Sequence, residues 1–367
     1  LDYRALYPTL IVAHNIDLGT LTDNKENSYK SPDIVTEKGI VNYYFDYRRD
    51  GFIPSLLKDI ILRRNRIKEI MKTEAKKDPV LDARQYSLKI LANSFYGYFG
   101  FAGARWYSNE CAASITAFGR HYIQDTIEKA KEFGFNVIYS DTDSLAVELK
   151  NKTKKDALDF LKKVNMELPS LMELELENFY PRGIFVSKKS EAKGAKKKYA
   201  LIDEKGNLKI VGFETIRGDW SYIAKEVQNE LLRIILKENN KDKALDYIKD
   251  VIKKIKNKEM PISLMIIQKQ LKKDIEEYET IGPHVAVAQK LRDKGDYVGS
   301  GSIIKFVIDE GDGIIRDKAK PPEECKSYDS EYYINNQIIP VVEKIFEVIG
   351  ISKDLLIHRE QSRLGEF

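Results

Sequence analysis

A change in hydrophobic spacing at Phe52 constrains the fold of this 367-residue sequence more than any other feature. Before it, residues 1–12 alternate and then run apolar, which is typical of a buried strand. From 52 to 76, apolar residues recur three and four positions apart, which predicts one amphipathic helix. Asp78-Pro79 breaks the pattern, and a second helix is expected at about 80–98. Two helices joined by so short a turn predict a projecting antiparallel hairpin.

The rest of the sequence mixes short strand patterns with further helices. Residues 13–50 are polar and irregular and end in the aromatic strand pattern VNYYFDY. Strands are expected at 136–140, 144–149, 183–188 and 198–203, and the last two flank a lysine-rich loop. Helices are expected at 109–133, 153–166, 219–238, 241–257, 283–294 and 331–349. The chain is therefore predicted to be mainly helical from Asp219 onward.

Composition sets only outer bounds on function. The chain is 43% hydrophobic and 32% charged, so it can bury a core and stay well hydrated. Its net charge of +4 is a weak indication of polyanion binding, because a solvated Lys/Glu surface gives the same total. Cys111 and Cys325 lack metal-site spacing, which indicates a reducing compartment. We find no signal peptide and no membrane-spanning run, so a cytoplasmic location is expected.

The stretch IYSDTDSLAV, residues 138–147, places two carboxylates in the turn between two apolar strands. A solvated acidic tip is the commoner meaning of D-x-D. Here, however, the apolar flanks put Asp141 and Asp143 at the end of a core hairpin, and Asp2 lies at the end of another apolar strand. Carboxylates that converge at strand ends are hard oxygen ligands for Mg²⁺. We therefore predict that two divalent cations, bridged by these three residues, offset the repulsion.

Cationic residues follow a helical spacing on both arms of the predicted hairpin. Arg64 and Lys68 are four apart on the first helix, and Lys89 and Asn93 are four apart on the second. Four donors on facing helices can grip a triphosphate, although an ordinary cationic solvent face has the same pattern. The segment NSFYGYFG, residues 93–100, combines aromatic rings with glycines, as expected where a flat ring meets a base pair.

These residues resemble the motifs of a known family. DYRALYPTL (2–10), KILANSFYGYFG (89–100) and YSDTDS (139–144) resemble motifs A, B and C of archaeal family B DNA polymerases, in the same order and similar spacing. KKKY (196–199) resembles the primer-duplex contact motif of that family. GPHVAVAQKL (282–291) and EYYINNQIIP (331–340) resemble its thumb sequences. The resemblance covers nearly the whole chain.

The resemblance implies an α+β right-hand polymerase fold. The palm would have an antiparallel sheet and comprise residues 1–50 and 106–200. The fingers would be the helical hairpin, residues 51–105. The thumb would be mostly helical, residues 201–367 including the tail. The activity implied is DNA-directed DNA synthesis on a primer-template with dNTPs and two Mg²⁺ ions.

The resemblance also implies roles for individual residues. Asp2 and Asp143 would bind both metals, with Asp141 in support. Tyr7 would be the steric gate against a 2′-hydroxyl, and Tyr96 would face the nascent base pair. The triphosphate-binding residues would be Arg64, Lys68, Lys89 and Asn93, and Lys89 would also protonate the departing pyrophosphate. The DNA-binding residues would be Lys196, Lys197, Lys198, Tyr199 and Arg217, with Lys197 in the minor groove at the primer end.

Two partners are expected besides DNA and dNTP. Gln361, Leu364 and Phe367 fit the Q-x-x-L-x-x-F core of a sliding-clamp-binding peptide, although a frayed polar terminus fits as well. The chain opens within a strand pattern at LDYRALYP, without Met, so we expect a C-terminal part of a longer protein. An N-terminal segment bearing the proofreading exonuclease would then be the second partner.

Two other functions compete with polymerase activity. One is a non-catalytic scaffold, or half of an enzyme, that binds DNA or a clamp. Asp2, Asp143 and Lys89 argue against the scaffold, because a decayed enzyme loses such residues first. The other is a protein-primed polymerase, which resembles the same family but carries large insertions between motifs A and B. The short interval from Asp2 to Lys89 leaves no room for such insertions.

Overall fold

The computed structural model describes residues 1–73, 78–187, 194–216 and 218–352. The chain divides into two compact units, Leu1–Asn178 and Phe179–Phe367. Each unit combines helices with small antiparallel sheets, which confirms the mixed helix-and-sheet class. The described residues include no helix long and apolar enough to cross a bilayer.

The first unit contains the helical hairpin and the acidic turn. Its helices are α1 (Leu6–Ala13), α2 (Phe52–Thr73), α3 (Pro79–Gly100), α4 (Asn109–Glu132) and α5 (Lys154–Glu167). Its strands are β1 (Asp2–Tyr3), β2 (Leu21–Thr22), β3 (Ser28–Lys30), β4 (Ile34–Thr36), β5 (Gly39–Val41), β6 (Tyr44–Asp46), β7 (Asn136–Asp141), β8 (Ser144–Glu148) and β9 (Leu174–Glu175). The predicted positions of α2 to α5, β7 and β8 are confirmed to within a few residues.

A four-stranded antiparallel sheet in the order β7-β8-β1-β9 forms the centre of this unit. Asp2 on β1 lies opposite Ser144 of β8 on one side and Glu175 of β9 on the other. The adjacent Tyr3 is 2% exposed, and its hydroxyl hydrogen-bonds the hydroxyl of Thr126 on α4 at 2.6 Å. The short β1 strand therefore pairs with a strand on each side, and its Tyr3 side chain is hydrogen-bonded to α4.

The prediction of one strand over residues 1–12 is wrong beyond Tyr3. Ala5 adopts the left-handed region with φ 48°, and α1 begins at Leu6. Leu10 is fully buried, and a short apolar run does not distinguish a buried strand from a buried helix. Pro8 falls in the first helical turn, where its missing N–H removes no intrahelical hydrogen bond.

The helices α2 and α3 pack against each other as the predicted hairpin, and α2 also packs against α1. The start of α3 follows from its sequence. Asp78 caps the helix by accepting a hydrogen bond from the backbone of Val80 at 2.7 Å, and Pro79 takes the first helical position. Within α3 the buried residues are Ala92 and Phe99, so much of its surface remains exposed.

The second unit has a larger proportion of helix. Its helices are α6 (Tyr222–Arg233), α7 (Lys241–Lys256), α8 (Ile262–Met265), α9 (Pro283–Asp293), α10 (Ile315–Lys318), α11 (Ser330–Tyr332) and α12 (Ile339–Ile349). Its strands are β10 (Arg182–Ser187), β11 (Gly194–Ile202), β12 (Leu208–Val211), β13 (Ile267–Gln270), β14 (Ile303–Ile308) and β15 (Ala319–Lys320). The π-helical turns Ile234–Glu238 and Tyr333–Ile338 extend α6 and join α11 to α12.

One hydrophobic core runs through this unit and includes residues of α6, α7, α9 and α12. The sheets β10-β11-β12 and β13-β14-β15 contribute to the same core. The second sheet lies inside the region that was predicted to be mainly helical. In β14, Ile303 and Lys305 are exposed whereas Ile304 and Phe306 are buried, which is the alternation of a half-buried strand. The signal available in the sequence was the short apolar, β-branched run IIKFVI, residues 303–308, which is typical of a strand.

Candidate active site

The acidic turn is a tight connection between β7 and β8, as predicted. Asp141 pairs with Ser144 as the last residues of the ladder. The backbone N–H of Asp143 donates to the carbonyl of Asp141 at 2.7 Å, and the hydroxyl of Ser144 donates to the same carbonyl at 3.2 Å. Thr142 lies between the two acids with φ 54°. A left-handed threonine is uncommon, so the surrounding hydrogen bonds hold the turn in a strained form.

The turn lies beside the central strand that carries Asp2. The N–H of Tyr3 donates to the carbonyl of Asp143 at 2.8 Å, and the backbones of Leu1 and Leu145 exchange hydrogen bonds at 2.9 and 3.0 Å. Asp2 therefore belongs to the residue pair between these bonds, where facing strands come closest. The structure thus brings together the backbone of Asp2 on β1 and the backbone of Asp143 in the turn before β8.

The predicted cluster of three carboxylates is not preformed. Among the residues that the structure describes, no group of three or more His, Cys, Asp or Glu could hold a metal ion. Mg²⁺ at phosphoryl-transfer sites is commonly held by one or two carboxylates together with substrate phosphates. Asp2 and Asp143 fit that donor set.

A small pocket with both apolar and polar lining residues lies between α1, α2 and α3. The polar residues that line it are Arg4, Thr9, Arg64, Asn65, Lys89 and Asn93. Three of the four predicted triphosphate residues therefore share one pocket. The fourth, Lys68, is close enough to be influenced electrostatically by Arg64 and Arg4.

The cations around this pocket crowd one another. Burial lowers the pKa of Arg64, and the positive charge of Arg4 lowers it further. Burial likewise lowers the pKa of Lys68, and Arg4 and Arg64 add to the effect. Glu175 opposes both shifts. The pocket therefore has excess positive charge, which an anionic ligand would relieve.

Arg4 is a functional candidate that the sequence analysis missed. Its guanidinium forms ion pairs with Glu173 at 2.6 Å and with Glu175 at 2.5 Å, and its side chain is 20% exposed. The Nε atoms of Arg4 and Arg64 are buried without a hydrogen-bond partner among the described residues. Local spacing gave no signal for Arg4, because Glu173 and Glu175 meet it only through the pairing of β1 with β9.

Tyr7 and Tyr96 meet beside the acidic turn. Their ring centroids lie 4.6 Å apart with the planes tilted by 53°. A Cβ added to Gly119 of α4 would approach the Tyr7 ring to 3.2 Å, so the missing side chain makes room for the ring. Burial raises the pKa of Tyr7, Tyr96 and Asp143 raise it further, and Arg120 opposes them. Tyr7 therefore lies close to both Tyr96 and Asp143.

The predicted DNA-binding residues 196–199 lie on β11 in the second unit. Lys197 is exposed and adopts the left-handed region with φ 62°. Tyr199 stacks on Phe185 with centroids 5.5 Å apart. The predicted roles of Arg217 and of the tail residues Gln361, Leu364 and Phe367 concern positions outside the described residues.

Lys198 is paired within its own unit. Its ammonium pairs with Glu214 at 2.6 Å, and the two side chains are only 12% and 11% exposed. It also lies 5.1 Å from the centre of the Phe213 ring. A lysine held in a buried pair is costly to withdraw from it. The structure therefore favours a structural role for Lys198 over the predicted contact with the DNA backbone.

Comparison with known proteins identifies the family. The sequence model of DNA polymerase family B matches residues 1–349. The chain is 43% identical over its whole length to a DNA polymerase of Thermococcus sp. (strain 9oN-7), and 44% identical to DNA polymerase 1 of Pyrococcus abyssi. In each case it covers 47% of that protein, so it spans about half the length of these curated relatives.

A solved structure is also similar. It is the family B DNA polymerase from the hyperthermophilic archaeon Pyrobaculum calidifontis, with a TM-score of 0.68 and 33% sequence identity. The match covers 96% of this chain and 45% of that one. Together with the family model, this similarity shows that the chain belongs to DNA polymerase family B.

Proposed function

We propose that this chain is the catalytic part of a DNA-dependent DNA polymerase, which adds dNTPs to a primer 3′-hydroxyl by two-metal-ion phosphoryl transfer. One observation carries the proposal. Asp2 lies on the strand beside the Asp143 turn, and the same unit contains a pocket lined by Arg64, Lys89 and Asn93. Phosphoryl transfer needs acidic metal ligands together with cations that bind phosphate. The similar proteins named above are DNA polymerases.

The proposed architecture is the right hand of these polymerases. The helical hairpin, residues 51–105, acts as the fingers, and residues 1–50 and 106–200 form the palm. Residues 201–367 form the thumb. The pocket between α1, α2 and α3 then lies where the fingers join the palm. Movement of the hairpin toward the palm would bring its cations onto the triphosphate.

Asp2 and Asp143 would hold two Mg²⁺ ions together with phosphate oxygens of the substrate, with Asp141 in support. When bound, the ions lower the pKa of the primer hydroxyl and stabilise charge on the triphosphate. The backbone arrangement supports this role for Asp2 and Asp143. The bond from Tyr3 to the Asp143 carbonyl fixes the distance between β1 and the turn.

Arg64, Lys68, Lys89 and Asn93 would bind and orient the triphosphate. The attack of the primer hydroxyl forms a new P–O bond at the α-phosphorus and releases pyrophosphate. Lys89 would donate a proton to the departing oxygen. The crowding of like charges around Arg64 and Lys68 supports this role, because a polyanion relieves it. Catalysis then depends mainly on positioning and charge stabilisation.

The start of α1 would contribute to nucleotide binding in two ways. Backbone N–H groups in the first turn of a helix lack intrahelical partners and attract anions. This turn begins at Leu6, next to the pocket residue Ala5. Tyr7 in the same turn would pack under the sugar, and its neighbour Tyr96 would meet the nascent base pair. A 2′-hydroxyl would then collide with the Tyr7 ring.

The duplex would be held by Lys196, Lys197, Tyr199 and Arg217. Lys197 would donate to a minor-groove acceptor at the primer end. Such acceptors are nearly the same for every base pair, which suits an enzyme that copies any sequence. The tail would bind a sliding clamp through Gln361, Leu364 and Phe367. An N-terminal segment bearing the exonuclease would be a further partner.

A primer-extension assay with Mg²⁺ tests this function. The wild-type chain should extend a labelled primer, and Asp143→Ala should abolish extension while primer-template affinity stays within a few-fold. Asp23→Ala, which alters an exposed acid of the same unit, is the matched control and should extend normally. Comparable extension by Asp143→Ala would reject the catalytic role of Asp143.

The same assay separates the enzyme from a binding module. Because the chain spans about half of its relatives, extension should be measured with and without the N-terminal segment of one of them. Extension under either condition supports the polymerase. Duplex binding without extension under both conditions would favour the non-catalytic alternative.

A further inference from the structure

Lys197 has an unusual backbone for its place in the fold. It lies within strand β11 but has φ 62°, in the left-handed region. Lysine has no short polar side chain to hydrogen-bond locally in this conformation, as Asn and Asp do. A strained residue of this kind persists only where its surroundings enforce it, and such residues cluster at functional sites.

Gly212 permits this conformation. The pairing of β11 with β12 ends at Tyr199 and Val211, and Gly212 follows directly with φ 70°. A Cβ built on Gly212 would lie 1.5 Å from the carbonyl oxygen of Lys197 and 3.3 Å from the Cα of Lys198. The Lys197 carbonyl therefore occupies the space that a side chain at position 212 would need. Only glycine permits this approach.

A buried polar cluster holds the next residue. Lys198 donates to Glu214 at 2.6 Å, and Gln228 of α6 donates to the other oxygen of Glu214 at 2.8 Å. The same Gln228 amide donates to the carbonyl of Val341 on α12 at 2.7 Å, and its oxygen accepts from the N–H of Thr215 at 3.0 Å. Gln228 is fully buried. The cluster thus ties the strand at Lys198 to the core of its unit.

We propose that Gly212 and the Lys198–Glu214–Gln228 cluster are positioning residues for Lys197. They fix its backbone in the one conformation from which its side chain reaches the minor-groove acceptor at the primer end. This inference rests on the proposed function, because it takes Lys197 to be the residue that contacts the primer. It assigns a positioning role to Gly212, Glu214 and Gln228, which are not proposed to touch DNA. It also assigns Lys198 to positioning and not to DNA contact.

Substitution of these residues would also reduce DNA binding if they only stabilised the fold. The test must therefore measure the contact between Lys197 and the primer end specifically. Two primer-template duplexes differ only at the primer 3′ base, which is adenine in one and 3-deazaadenine in the other. The second base lacks the N3 acceptor of the minor groove. The ratio of the two dissociation constants, measured by fluorescence anisotropy on the full chain, reports the contact. General loss of stability or of phosphate binding affects both duplexes equally.

We expect the wild-type chain to bind the adenine duplex about tenfold more tightly, as for one hydrogen bond from a charged donor. Lys197→Ala should reduce the ratio to about one. Gly212→Ala should do the same, whereas Gly299→Ala should keep the wild-type ratio. Gly299 is the matched control in the same unit, because a Cβ there would make only ordinary contacts, 3.6 Å from Asp274 Oδ1 and 3.9 Å from the Tyr297 hydroxyl, and its φ is not positive.

A double-mutant cycle makes the link between positions explicit. If Gly212 acts through Lys197, then Gly212→Ala should change the ratio little in a chain that already carries Lys197→Ala. Circular dichroism checks that each variant is folded. If Gly212→Ala does not fold, Glu214→Gln carries the same expectation, because it removes the charge that holds Lys198.

The outcomes separate this inference from the function on which it rests. A folded Gly212→Ala or Glu214→Gln variant with the wild-type ratio would overturn the inference. A wild-type chain that binds both duplexes equally would also overturn it and leave polymerase activity to the extension assay. A wild-type chain that binds neither duplex would count against both.

Discussion

Tyr7 and Tyr96 belong to different helices, yet their rings are in contact, and Tyr7 also lies near the acidic turn. The Tyr7 ring rests against Gly119 of α4, where an added Cβ would come within 3.2 Å. Its position therefore depends on three elements at once. If Tyr7 is the proposed steric gate, this packing would resist displacement of the ring by a 2′-hydroxyl, which is what discrimination between sugars requires.

The first prediction concerns that discrimination. Tyr7→Ala should raise ribonucleotide incorporation relative to deoxyribonucleotide incorporation by at least about tenfold, because it removes the steric conflict with the 2′-hydroxyl. Primer extension with matched rNTP and dNTP pairs measures the ratio. Tyr297→Ala removes a tyrosine that is 99% exposed and should leave the ratio unchanged. An unchanged ratio in Tyr7→Ala would remove the steric-gate assignment.

A second residue-scale prediction concerns Arg4. Arg4→Ala removes a cation from the pocket and leaves Glu173 and Glu175 without their partner. Both effects disfavour a triphosphate, so KM for dNTP should rise about tenfold with a smaller change in kcat. Single-nucleotide incorporation kinetics give both constants. Arg63→Ala is the control, because Arg63 is 69% exposed and pairs with Asp59. A KM within twofold of wild type would exclude Arg4 from nucleotide binding.

Individual elements show what the sequence can and cannot predict. The hairpin α2–α3 was predictable because its apolar spacing is local and Asp78-Pro79 marks the break. The pairing of Arg64 with Lys89 and Asn93 followed from helical spacing on two facing helices. Arg4 was not predictable in the same way, because its partners Glu173 and Glu175 reach it only through the pairing of β1 with β9. Strand register is a long-range property that local patterns do not contain.

A prediction at this scale concerns the tie between β11 and Glu214. Burial raises the pKa of Glu214, but hydrogen bonds from Lys198 and Gln228 lower it by more, and the net pKa lies below the ordinary value of 4.5. The stabilisation is therefore complete above about pH 4.5 and is lost as the pH falls through the lower folded-state pKa. Glu214→Gln should cost about 3 kcal/mol of unfolding free energy at pH 7 and clearly less at pH 3.

Urea denaturation followed by circular dichroism at pH 7, 5 and 3 measures this difference. Asp250→Asn is the control, because Asp250 pairs with Lys254 at the surface with both side chains about half exposed. Its cost should stay below about 1 kcal/mol at each pH. A cost of Glu214→Gln that does not depend on pH would contradict the ionic nature of this tie.

At the scale of the whole molecule, the division of the chain into units can be compared with the predicted domains of its longer relatives. The chain matches the family over residues 1–349 and spans about half of the curated relatives. Its two compact units divide at residues 178 and 179, whereas the predicted boundary between palm and thumb lies at residue 200. The assignment to palm, fingers and thumb is therefore still a prediction. A structure of the chain bound to a primer-template would test it.

The last prediction concerns the tail. Deletion of residues 361–367 should reduce clamp-stimulated synthesis severalfold and leave clamp-independent extension unchanged, because under the proposed function the motif would bind the clamp and not the DNA. Replacing Gln361 and Phe367 by Ala together should have the same effect without shortening the chain. Extension on a primed circular template, with and without a sliding clamp, provides the measurement. If the clamp stimulates synthesis by the altered chains as much as by the wild type, the tail is not the clamp-binding site.

The crowded cations between α1, α2 and α3 have a thermodynamic consequence. Burial and mutual repulsion both disfavour charge on Arg64 and Lys68. If the pocket takes a polyphosphate as proposed, the ligand would relieve this repulsion, and a ligand that prefers the native state adds to its stability. Nucleotide binding would then also raise the resistance of the first unit to unfolding.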